Sequence, residues 1–158
     1  MARPLLFLDV DGPLIPFGRR TGDYRTFIDA DLGNPLLGRV DPALGPRLLA
    51  LGCDLVWATT WFEDANECVA PLLGLPPLPV LDFPDELAAG GRHWKTERIV
   101  ERAAGSPFVW IDDETTGADR AWVANHHPGP ALLHTVAADA GLTDVDLAAI
   151  TTWLASCG

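Results

Sequence analysis

The chain has 158 residues, enough for one domain with a real core. Apolar residues make up 48 % and charged residues 21 %, which argues against disorder, and no apolar run reaches the length of a membrane span. With 22 acidic against 11 basic residues and a net charge of −11, the chain also lacks the clustered Lys and Arg that extended nucleic-acid or anionic-membrane binding requires.

Leu5-Leu6-Phe7-Leu8 is a continuous apolar run ending in Asp9-Val10-Asp11-Gly12, the pattern of a strand buried on both faces and closed by a turn. Residues 13–40 are rich in Gly, Pro and charge without a clear period and read as a long loop or flap. Asp41-Pro42 starts a helix that runs to about Leu51 and stops at Gly52. Residues 54–59 (DLVWAT) form the second strand, and 63–70 a helix ended by Pro71. Residues 71–92 carry five prolines and hold one short strand over 79–81. A helix covers 93–104 and stops at Gly105; a third strand covers 107–111 and ends in Asp112-Asp113. A helix over 117–125, a strand over 131–136 and a last helix over 144–155, capped by Thr143, complete the chain.

Strands alternating with helices predict a three-layer α/β/α, Rossmann-like fold with a mostly parallel central sheet, in a single domain over residues 1–158. Three cysteines, Cys53, Cys68 and Cys157, form no C-x-x-C pair, which argues against a disulfide framework and a zinc site. With no signal-peptide pattern at the N-terminus, the expected location is cytoplasmic.

Ligands of open parallel sheets bind beyond the carboxyl ends of the strands. Three strands end there in Asp9-Val10-Asp11-Gly12, Thr59-Thr60 and Asp112-Asp113. If these strands are neighbours, four carboxylates meet at one edge; they repel one another, and a hard divalent cation resolves the conflict. Mg²⁺ and an anionic substrate follow as expectations. Asp9 is then placed to attack phosphorus, and Asp11 to protonate the leaving group and activate water. Lys95 supplies positive charge, and Thr59 a hydrogen bond, to the phosphoryl oxygens.

These motifs, in this order over residues 5–113, resemble the haloacid dehalogenase (HAD) superfamily, phosphatase branch: an apolar strand with Asp-x-Asp-Gly, a strand ending in Thr, a Lys at a helix start, and a strand ending in an acidic pair. The wording around them (LFLDVDG, VWATTW, HWKT, WIDDE) is similar to the small HAD domain of Swiss-army-knife RNA-repair proteins. The resemblance implies Asp9 as nucleophile and metal ligand, and Asp11 as general acid/base with its backbone carbonyl on Mg²⁺. It implies Asp112 as metal ligand with Asp113 supporting it, and Gly12, Thr59, Thr60 and Lys95 around the substrate. Asp11 favours phosphate over halide chemistry, because the namesake dehalogenases lack it.

Neither residues 13–42 nor 61–94 leave room for a full cap domain, so the site is expected to be open. An open site suits a phosphorylated macromolecule, such as a nucleic-acid end or a phosphoprotein, and admits small phosphate esters. The expected activity is a Mg²⁺-dependent phosphomonoesterase; the alternatives are a phosphotransferase with the same intermediate and a non-catalytic module of the same fold. Trp57 and Trp110 read as core, and Trp61 and Trp94 as substrate contacts. Arg19, Arg20 and Arg25 read as solvated flap residues, and His126-His127 lack ligand spacing.

Overall fold

A computed structural model describes residues 3–83 and 94–157. Its four strands, β1 (Leu5–Leu8), β2 (Asp54–Trp57), β3 (Phe108–Asp112) and β4 (Ala131–Thr135), form one sheet in the order β2-β1-β3-β4. Every pairing is parallel: Leu8 stands opposite Trp57 on one side and Ile111 on the other. The expected short strand at 79–81 is a single parallel bridge from Val80 to Trp57, secured by the Trp57 N–H to the Pro79 carbonyl and the Leu81 N–H to the Trp57 carbonyl.

Strand alternation divides the core in two. On one face Leu6, Leu8, Leu55, Trp57, Val109 and Ile111 pack with α1 (Leu44–Leu49), α2 (Ala70–Leu73) and α5 (Asp144–Cys157). On the other, Phe7, Val56, Phe108 and Trp110 pack with Ile99 and Ala103 of α3 (Thr96–Ala103) and Val123 of α4 (Gly117–His126). Burial on both faces explains why the strands read as continuous apolar runs. The result is the three-layer α/β/α fold that the alternation of elements predicts.

The sheet order places a switch point between β1 and β3, since the chain leaves β1 towards β2 and leaves β3 towards β4. This is where a ligand crevice opens, and where Asp9 and Asp112 lie.

Several boundaries differ from the sequence reading. Pro71 does not end the helix expected over 63–70. A π turn over Ala65–Val69 leads into α2, with Pro71 in its first turn, and Gly74 at φ 68° closes it. Proline cannot donate to the carbonyl of Glu67, and the Ala70 N–H reaches back to Ala65 instead, which widens the turn. Helix α3 starts at Thr96; His93, expected to begin it, lies outside the described residues. The helix closes on Ala104, itself left-handed at φ 49°, one residue before Gly105. Within 13–40 the chain is irregular apart from a 3-10 helix over Pro35–Arg39, which Asn34 caps by accepting from the Leu36 N–H. Among the described residues, no helix is long and apolar enough to cross a membrane.

Candidate active site

Asp9 directly follows β1. Its N–H donates to the Ile111 carbonyl, so the backbone still runs with the sheet and carries Asp9 level with Asp112, the last residue of β3. Asp112 is fully buried and Asp9 nearly so. Between them stands the ammonium of Lys95, 2.8 Å from Asp112 Oδ2 and 3.3 Å from Asp9 Oδ2. Lys95 also donates to the carbonyl of Ala58, just past β2, at 2.8 Å. One cation therefore ties the ends of β2, β1 and β3 together.

The placement of Lys95 runs against helix electrostatics. It directly precedes α3, where the helix dipole repels positive charge, and it is only 2 % exposed. The two carboxylates and the carbonyl offset that cost. A lysine spent on a salt bridge at a solvated helix end would leave no such trace.

Thr59 is buried, accepts from the Trp61 N–H at 3.2 Å, and its hydroxyl favours the ionised form of Asp9. Asp9 Oδ1 accepts from the Val10 N–H at 2.8 Å. Burial pushes the Asp9 carboxyl from 3.8 up to about 7; the neighbouring Lys95 pulls the other way without winning, and the charge of Asp112 adds to the rise. Asp113 is raised to about 6, by burial first and the charge of Asp112 second. Two carboxyl groups that resist ionisation beside a third fit a hard cation.

Among the described residues, Asp9, Asp112 and Asp113 offer oxygens that all lie within 4.8 Å of one another. Such an all-oxygen donor set suits Mg²⁺ rather than zinc. The side chain of Asp11 stands outside this group; its Oδ2 accepts from the indole N–H of Trp61 at 3.1 Å.

Gly12 has φ +97°, and a Cβ there would come within 2.7 Å of Asp113 Cγ. The residue read as a substrate contact is thus also the one that lets Asp113 lie over the Asp9–Gly12 turn.

A cleft of about 230 Å³ opens above these groups, lined by Asp9, Asp11, Phe17, Thr60, Trp94, Lys95, Asp113 and Glu114. Thr60 lines it, whereas Thr59 is buried and does not. Two larger hollows, at His127 and at Arg47, contain none of the expected site residues.

Phe17 and Glu114 were not legible as site residues. Phe17 lies in an aperiodic stretch; its N–H donates to the Ala138 carbonyl, and the carbonyl of Pro16 before it accepts from Arg39. Trp110 is core, as expected, yet its indole N–H also donates to Asp112 at 3.3 Å. Arg19, Arg20 and Arg25 are exposed; Arg19 and Arg25 lie over the rings of Tyr24 and Phe27. His126 stacks on Trp122 at the end of α4.

Comparison with curated proteins and with solved structures finds no match. One family model does match, that of the HAD domain in Swiss Army Knife RNA repair proteins; it covers residues 5–147, and the chain therefore belongs to this HAD family.

Proposed function

We propose that the protein is a Mg²⁺-dependent phosphomonoesterase that works through an aspartyl-phosphate on Asp9. Membership of the HAD family points to a phosphatase or a related enzyme, and HAD domains usually use Mg²⁺. The observation that carries the finer reading is the buried Lys95 between Asp9 and Asp112, at the sheet's switch point and beneath an open cleft.

Asp9 Oδ2, ionised, attacks phosphorus while the bond from phosphorus to the leaving oxygen breaks. Asp11 gives that oxygen its proton. Water then attacks the phosphorus of the acyl phosphate, Asp11 takes the water's proton, and the P–O bond to Asp9 breaks. Inorganic phosphate leaves, and both carboxyl groups return to their starting states. Lys95 holds the nucleophile in place and offsets charge on the phosphoryl group; Thr59 orients Asp9, and Thr60 meets the substrate. A cation bound by Asp9, Asp112, Asp113 and the Asp11 carbonyl would supply charge neutralisation for the incoming phosphate.

For the substrate we take a phosphorylated nucleic-acid end. The family's description names RNA repair proteins. The cleft carries Phe17, 42 % exposed, and Trp94, which meets Phe83 edge-on at 4.5 Å; such rings can stack on a terminal base. A net charge of −11 suits capture of an end rather than of a long polyanion.

The test is hydrolysis of an aryl phosphate with Mg²⁺, with EDTA, and by Asp9→Asn. Turnover is expected only with Mg²⁺ and wild type, falling about 10³-fold or more in the variant. A folded, Mg²⁺-loaded wild type that neither turns over nor binds beryllofluoride, a phosphoryl mimic, would sink the reading. Oligonucleotides phosphorylated at the 3′ or 5′ end, run against phosphopeptides, test the substrate class; a preference for phosphopeptides would overturn it.

A further inference from the structure

The turn after β2 reaches into the site through Trp61, expected as a substrate contact but absent from the lining of the cleft. Trp61 is half-buried, and its indole N–H donates to Asp11 Oδ2 at 3.1 Å. Its backbone N–H donates to Thr59 Oγ1. The Phe62 N–H closes onto the Thr59 carbonyl, and the Asp64 N–H onto that of Trp61. Phe62 holds φ 48°, a conformation that bulky side chains rarely adopt. Strain of this kind persists only where surrounding contacts impose it. Here it fixes the turn that aims the indole across to the first strand's loop.

An indole N–H can donate but never accept. While Trp61 engages Oδ2, the carboxyl is not free to rotate about its bond to the rest of the side chain. The contact holds the carboxyl by that oxygen and leaves Oδ1 for the cleft that Asp11 lines. We infer that Trp61 is a positioning residue for the general acid: by holding Oδ2 it fixes the orientation of the Asp11 carboxyl and keeps Oδ1 towards the leaving group. This inference rests on the proposed role of Asp11.

A tether that merely joined two loops would make the same contact, so the test must separate the roles. Trp61→Phe keeps the aromatic bulk and removes the donor. Turnover is compared on two esters, nitrophenyl phosphate, whose leaving group departs without a proton, and an alkyl phosphate, whose leaving group needs one. The variant should lose about tenfold or more in kcat/KM on the alkyl ester and less than about twofold in kcat/KM on the nitrophenyl ester; kcat/KM ends at phosphoryl transfer to Asp9 and so excludes the water step, in which Asp11 serves both esters alike. Asp11→Asn should show the same rank order with a larger loss. Adding Trp61→Phe to Asp11→Asn should cost nothing further, because the group it positions has gone.

Equal losses in kcat/KM on both esters, additive losses in the double variant, or no loss at all in a folded Trp61→Phe protein would each overturn the role. Failure of the site reading looks different: a wild type without Asp9-dependent turnover on either ester would overturn that reading, and this role with it.

Discussion

Asp9 and Asp119 are both buried carboxylates, and they are held in opposite ways. Asp119 sits in the first turn of α4 and is satisfied close to home. It accepts from the Thr116 N–H at 2.8 Å, from the Thr116 hydroxyl at 2.9 Å and from the Thr96 hydroxyl at 2.6 Å. Thr116 returns the favour by accepting from the Asp119 N–H, a reciprocal capping box. A helix N-terminus also favours negative charge. Asp9 has one local donor, the Val10 N–H, and otherwise depends on Lys95 at the start of a distant helix while facing Asp112. One carboxylate is placed to hold two helices together. The other is left costly to ionise, and so is available for a cation and for chemistry.

The sharpest way to break this comparison is to remove the cation. In Lys95→Ala, Asp9 and Asp112 face each other with their shared partner gone. Loss of one member of a buried ion pair costs about 3–5 kcal/mol, to be read from urea denaturation of the metal-free protein. Adding Asp9→Asn should recover part of that loss, because one of the opposed charges disappears. Equal stability of the single and double variants would mean that repulsion at this edge is not what Lys95 relieves.

Asp119→Ala tests the other pole and should act on stability alone. It strips partners from the Thr96 hydroxyl and the Thr116 N–H, a loss of about 1–3 kcal/mol for buried groups left unsatisfied. Turnover per folded molecule should stay within about twofold of wild type. A selective loss of activity would show that the α3–α4 junction reaches the site, through Thr96 and its neighbour Lys95.

The same contrast explains what could be read from the chain in advance. The apolar runs that become β1 and β3, and the acidic residues that end them, are adjacent in sequence, so the sheet edge was legible. That Asp9 and Asp112 lie level follows from pairing Leu8 with Ile111, which no local pattern encodes. The capping role of Thr143 was legible because its partner Asp146 is three residues away. Trp61 as a partner of Asp11 was not, since 50 residues separate them. The π turn before Pro71 was missed for a related reason: proline reads locally as a stop, while its neighbours were free to rearrange the ladder around it.

A further effect is expected in the pH dependence of stability, where two carboxylates should leave opposite marks. An unfolded aspartate ionises near 3.8, whereas Asp9 in the native protein does so near 7. Between those values the native state keeps a proton that the unfolded state has lost. The stability linked to Asp9 is thus complete below pH 3.8 and is lost as pH rises towards 7. Asp113, raised to about 6, adds a slope of the same sign. Asp146 behaves in reverse. Burial alone would raise it, but the bond from His134, at 2.8 Å, and those from Thr143 hold it below 3.8. Its contribution is present above pH 3.8 and fades as pH falls through its lowered value. Thermal melts of metal-free protein from pH 3 to 8 should therefore show a Tm that declines between about pH 4 and 7, by about 2–4 °C for each kcal/mol lost. Asp9→Asn should flatten that decline without abolishing it, because Asp113 remains, and Asp146→Asn should flatten only the acid limb. Mg²⁺ should raise Tm more at pH 8 than at pH 5, since cation and proton compete for the same oxygens, and Asp9→Asn should shrink that gain. A Mg²⁺ shift that is equal at both pH values, or unchanged in the variant, would place the cation on the acidic surface rather than between Asp9 and Asp112.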